Sequence, residues 1–140
     1  MSSPAYNEII EAVCKDYGLT LVDAAVEGVS ELAGVFNIDP SRLKGQSYCI
    51  GGTEIVLGAY ESEEIRVAAF FHEVGHILSN LDHNNNNWSQ LLVESLAWKL
   101  GVMLAAKYGL CQWNKEVGEY VMASLASYEL GALGPIDDFD

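Results

Sequence analysis

Histidine is scarce in this chain, and two of its three copies stand four residues apart in His72-Glu73-Val74-Gly75-His76. On an α-helix that spacing puts the two imidazoles one turn apart on the same face, where they can converge on a single metal ion. Glu73 then stands beside the ion, placed to take a proton from a water that the ion has made acidic. The flanking residues agree with this reading. Ile65-Arg66-Val67-Ala68-Ala69-Phe70-Phe71 leads in and Ile77-Leu78 leads out, with no Pro and no charge between Val67 and His72. Such a segment predicts a helix buried on most faces. Burying two histidines is unfavourable unless each is hydrogen-bonded or bound to metal. Gly75 weakens a helix by about 1 kcal/mol relative to Ala, which makes sense where something must approach closely. The plainer alternative is a helix with two satisfied core histidines and a surface glutamate.

A catalytic zinc usually takes three protein ligands and leaves its fourth position to water. The candidate third ligand is Glu94, the only acidic residue between Asp82 and Glu116, in the apolar helical segment Ser89 to Gly101. A lone carboxylate on such a helix needs a partner, and a metal ion is one. The run Asn84-Asn85-Asn86-Asn87 favours a turn, after which the second helix can pack antiparallel on the first with Glu94 facing the histidines. Asp82, six residues past His76, is the alternative ligand. It would need a sharp backbone turn at position 79, where a glycine would serve and Ser79 stands instead. His83 is a further candidate, as ligand or as a donor to a transition-state oxyanion. Tyr48, Tyr60 and Tyr128 are other candidate donors.

The segment Arg66 to Leu78, followed by Glu94-Ser95-Leu96-Ala97-Trp98, resembles the small metallopeptidases of the ImmA/IrrE type. These share a His-Glu-x-Gly-His helix and a later Glu-x-x-Ala helix that supplies the third ligand, a gluzincin-like arrangement. The likeness covers roughly residues 46 to 108. Residue by residue it implies His72, His76 and Glu94 as ligands of Zn²⁺ and Glu73 as general base. It also implies a minimal zincin-like fold and a protein or peptide substrate, with repressor-type regulators as the family's frequent targets. Many members are encoded by phages and mobile elements. The chain departs from the family where Ala97-Trp98-Lys99-Leu100-Gly101 replaces the usual Ala-x-x-Phe-Ala continuation, and it carries no obvious added DNA-reading domain.

Length and composition bound the rest. With 140 residues, half of them hydrophobic, the chain suits one domain with a sizeable core. Residues 1–130 are expected to form that domain, with a core at 46–108, and 131–140 an acidic, flexible tail. No apolar run reaches the roughly 18 residues of a membrane span, and Met1-Ser2-Ser3-Pro4 lacks the features of a secretory signal. Cys14, Cys49 and Cys111 are odd in number and widely spaced, which reads as reduced thiols of a cytoplasmic protein. Cys49 is expected to lie near the motif. The net charge of −13, with seven basic residues, argues against direct nucleic-acid binding and against anionic membranes. It leaves open a second class of function, an acidic protein that keeps the metal site as scaffold and blocks a partner.

The expected class is α+β: a mostly helical domain with a small antiparallel hairpin beside the motif helix. Helices are expected at Pro4 to Tyr17 and Leu21 to Phe36, the second interrupted by Gly28 and Gly34. Pro40 begins a short helical turn toward Leu43. Strands Gln46 to Ile50 and Thr53 to Leu57 meet at Gly51-Gly52, a pair that tolerates the positive φ of a tight hairpin. Thr53 to Leu57 is a candidate edge strand for extended peptide. Glu61-Ser62-Glu63-Glu64 places negative charge at the start of the motif helix, where the helix dipole favours it. Helices at Ser89 to Tyr108, stopped by Gly109, and at Trp113 to Leu130 complete the chain. The last has a buried stripe of Val117, Tyr120, Val121, Ser124 and Leu125.

Overall fold

A computed structural model describes residues 6–50, 52–79 and 90–133, with side chains as far as residue 126. Helix α1 (Tyr6–Tyr17) stops at Gly18, whose φ of 65° suits a residue without a side chain. Strand β1 (Thr20–Asp23), the short helices α2 (Ala24–Glu27) and α3 (Val29–Phe36), and a 3₁₀ turn (Pro40–Leu43) follow. Strands β2 (Tyr48–Ile50) and β3 (Glu54–Leu57) lead into three long helices: α4 (Glu63–Ser79), α5 (Gln90–Lys107) and α6 (Lys115–Leu133). The fold is α+β, mostly helical, with one small sheet.

That sheet has three strands in the order β1-β3-β2, with β3 parallel to β1 and antiparallel to β2. Two expectations need correction here. Leu21 to Asp23 is strand rather than the start of a helix, because Asp23 caps a helix that begins only after it. Its backbone is extended and its Oδ1 accepts the Ala25 N–H at 2.9 Å. Gly28, at φ 94°, does break the segment, whereas Gly34 sits inside α3 without interrupting it. The second correction follows from the first. β3 pairs on both sides and is the central strand, so it has no edge to offer a peptide. Among the described residues β1 and β2 form the edges.

Successive β3 side chains point to opposite faces, and both faces are covered. Ile55 and Leu57 enter the main core with Ile10 and Val13 of α1 and Val67, Phe70, Phe71 and Val74 of α4. Val56 packs on the other side with Ala24, Leu32, Ala33 and Leu43. A strand buried twice reads as an unbroken apolar run, which is what Ile55-Val56-Leu57 is. Arg66 of α4 ties the layers together: it pairs with buried Asp23 and donates to Asn7 Oδ1 of α1 at 3.2 Å. Of the expected α6 stripe only Val117 is buried; Tyr120, Val121 and Leu125 are half-buried against Ala68 and Trp98, and Ser124 is half-buried too. Asn114 starts that helix by accepting the Val117 N–H at 2.9 Å. Among the described residues no helix is long and apolar enough to cross a membrane.

Candidate metal centre

Helix α4 begins where Ser62 Oγ accepts the Ile65 N–H, at 3.4 Å, with Glu63 and Glu64 in the first turn. The apolar run Val67 to Phe71, with Val74 a turn later, then drives it into the core, so His72 and His76 ride on a helix whose orientation is fixed by Phe70, Phe71 and Val74. Their ring centroids are 4.6 Å apart.

Helix α5 brings the carboxylate, and two glycines set how close it comes. A Cβ on Gly75 would lie 1.9 Å from the Ala97 carbonyl oxygen, and one on Gly101 would lie 2.4 Å from that of Phe71. Neither position has room for one. The pairings of Gly75 with Ala97 and of Phe71 with Gly101 run in opposite directions, so the helices are antiparallel. That backbone-to-backbone approach lets a short glutamate reach both imidazoles. Glu94 Oε1 lies 2.8 Å from His72 Nε2, and Oε2 lies 3.0 Å from His76 Nε2. Glu94 is 2% exposed.

The three side chains can hold a metal ion: one donor atom from each falls within 4.8 Å of the others. Tetrahedral zinc with bonds of about 2.0–2.1 Å needs its donors about 3.3 Å apart, and the contacts of 2.8 and 3.0 Å lie close to that. His72 Nε2 is buried and faces the Glu94 carboxylate. Without metal, the charges compensate one another. Burial opposes a charge on His72, but Glu73 and Glu94 outweigh it and raise its pKa to about 9. Burial likewise opposes charge on Glu94, and the two imidazoles hold its pKa well below the usual carboxylate range.

Glu73 is also buried, and both its oxygens have neighbours. Oε2 is 3.4 Å from His72 Nδ1, and Oε1 accepts from the Cys49 thiol at 3.2 Å. The expected proximity of Cys49 to the motif is therefore a direct contact. Burial, then the charge of Glu73, pushes that thiol's pKa up strongly, so it remains protonated.

Of the candidate donors, Tyr60 is packed against Ser47 and Tyr120. Its pKa is raised by burial first, then by Tyr120, with the charge of Glu73 adding, and its hydroxyl is 2.8 Å from Ser47 Oγ. The hydroxyl of Tyr48 lies within hydrogen-bond distance of the Arg42 carbonyl oxygen and Gln46 Oε1, on the exposed side of the hairpin. Asp82, His83 and the side chain of Tyr128 lie outside the described residues, as do the Asn84–Asn87 run and the tail beyond 133. Two aromatic residues to which the sequence assigns no role at the site support it. Trp98 stacks on His72 with centroids 4.1 Å apart and planes 7° from parallel, and Tyr120 meets Trp98 edge-on at 6.1 Å. Trp98 follows Glu94 by four residues, the same spacing as the histidine pair, and that was the signal available. Tyr120 had none beyond its place in an apolar stripe.

No family model, no curated protein and no solved structure matches this chain. The likeness to ImmA/IrrE-type peptidases therefore rests on the residues named above.

Proposed function

We propose that the chain is a zinc-dependent peptidase of the ImmA/IrrE-like kind that hydrolyses a peptide bond in a protein substrate, with regulators of the repressor type as the class to test first. The observation that carries this reading is the convergence of His72, His76 and Glu94, with Glu73 buried beside them. Two imidazoles and one carboxylate form a donor set used by catalytic zinc, and among the described residues no fourth side chain joins the group. A divalent cation held there supplies Lewis-acid polarisation and makes water acidic near neutral pH. Glu73 takes the proton from the attacking water and returns it to the leaving amine. The stack of Trp98 on His72 fixes the plane of that imidazole.

The test is elemental analysis of purified protein, followed by proteomic comparison of cells expressing wild type and Glu73→Gln. Glu73→Gln is expected to keep zinc and lower hydrolysis by about 10²–10⁴-fold, the usual contribution of a general base. His76→Ala is expected to lose the metal. Zinc-free wild-type protein, or hydrolysis undiminished in Glu73→Gln, overturns the proposal.

The net charge of −13 favours a second reading, an acidic binder that keeps the metal site as scaffold. In that case the biological effect survives Glu73→Gln and is lost with acidic surface residues instead.

A further inference from the structure

The pair formed by Cys49 and Glu73 joins the edge strand to the motif helix. Cys49 is the middle residue of β2, opposite Ile55 of the central strand. Its Sγ lies 3.1 Å from the Glu73 backbone carbonyl oxygen and 3.2 Å from Oε1 of the same residue. One thiol thus bridges main chain and carboxylate of a single glutamate on another element. With Oε2 near His72 Nδ1, the carboxylate is held from two sides, by the sheet and by its own helix.

We infer that Cys49 is a positioning residue: its thiol fixes the Glu73 carboxylate at the metal centre and locks β2 to α4. The inference rests on the reading of Glu73 as the proton-transferring group. The chemistry of sulfur suits the task. A thiol is a weak donor, so it can orient a carboxylate without drawing off the basicity that proton transfer requires. The S···O distances exceed those of about 2.7–2.8 Å typical of hydroxyl donors, so the thiol spans a gap between strand and helix that a serine would bridge less well. Burial matters too. A buried carboxylate with a free side-chain torsion would sample several rotamers, and general-base catalysis needs it within hydrogen-bond reach of one water. Cys111, by contrast, is exposed, with its sulfur 3.9 Å from the Ala106 carbonyl oxygen.

The experiment has two arms on the full chain. The first reads the contact without any substrate, as the infrared S–H stretching band of Cys49, isolated as wild type minus Cys49→Ala. It is expected at lower frequency than the band of exposed Cys111, and Glu73→Gln, which exchanges the carboxylate for a weaker acceptor, is expected to move it back. A Cys49 band indifferent to Glu73→Gln overturns the inference. The second arm measures zinc by equilibrium dialysis and turnover of a quenched fluorescent peptide library. Cys49→Ala is expected to bind zinc like wild type, with kcat lowered roughly tenfold at unchanged KM, and Cys49→Ser is expected to recover part of the loss. Loss of zinc in Cys49→Ala, or unchanged kcat, overturns the positioning role. A wild-type protein that is inert toward the library while the infrared band behaves as described overturns the peptidase reading and, with it, the catalytic purpose of the contact, leaving the contact itself standing.

Discussion

Asp23 and Glu94 are both buried carboxylates at seams between elements, and they differ in what neutralises them. Asp23 is paired with Arg66, a guanidinium that has no lone pair to offer a metal ion, and its other oxygen caps α2. Glu94 is paired with two imidazoles, whose protons can leave in favour of a cation. The first arrangement is closed, and it pins α1, β1 and α4 together. The second is exchangeable. A buried carboxylate thus marks a metal site only when its partners can give up their charge.

Removing each carboxylate tests that division at its widest. Glu94→Ala is expected to weaken zinc binding by more than about a hundredfold, beyond what loss of an outer-shell partner costs. Asp23→Ala is expected to leave zinc affinity within a few-fold of wild type. It should lower unfolding free energy by about 3 kcal/mol, because Arg66 is left without its partner. Zinc titration and urea unfolding of the two variants give both quantities. Equal loss of zinc in the two would erase the distinction.

The glycines extend the same contrast to packing. Gly75→Ala places a methyl where the Ala97 carbonyl already stands, so α4 and α5 must move apart. The expected result is about 2–3 kcal/mol of lost stability, together with weaker zinc binding as Glu94 is drawn away from the imidazoles. Gly34→Ala in α3 meets nothing within 4 Å and is expected to gain about 0.4–1 kcal/mol, with zinc binding unchanged. Thermal unfolding with and without zinc separates the two outcomes.

Much of the centre was legible because helical spacing is a local property. His72, Glu73 and His76 lie within five residues, and Glu94 stands out as the one acidic residue on an apolar helix. The hairpin was legible for the same reason, since its turn joins neighbours in sequence. What the sequence reading lost was long-range. Leu21-Val22-Asp23 became a strand because β3, more than thirty residues away, was there to pair with it. That pairing turned β3 from an edge strand into the centre of the sheet. Nothing in the local pattern around Cys49 told which atom of Glu73 it would touch. Nor did the α6 stripe reveal that Tyr120 would sit against the tryptophan that stacks on a candidate ligand. Spacing along one helix reports the ligands, whereas their supports come from elements that meet only in the fold.

The two seams should also behave differently in their response to pH. Without metal, His72 has a folded-state pKa raised from 6.5 to about 9, so its contribution to stability is complete below pH 6.5 and disappears as pH rises through 9. Glu94 has its pKa lowered from 4.5, so its contribution is present above that pH and is lost in stronger acid. Metal-free protein is therefore expected to be most stable between about pH 4.5 and 6.5 and to lose several degrees of Tm toward pH 9. Zinc reverses the slope. The ion must displace the proton on His72, so apparent affinity should rise about tenfold per pH unit up to about pH 9, and the Tm increment given by saturating zinc should grow across the same window. Asp23→Asn is expected to lower both melting curves by a similar amount without altering either slope, because the Asp23–Arg66 pair takes no part in holding the ion. Glu94→Gln should remove the zinc-dependent slope altogether. If the zinc increment is flat from pH 6.5 to 9 in the wild-type protein, the imidazoles of α4 are not exchanging a proton for a metal ion, and the two carboxylates are structural alike.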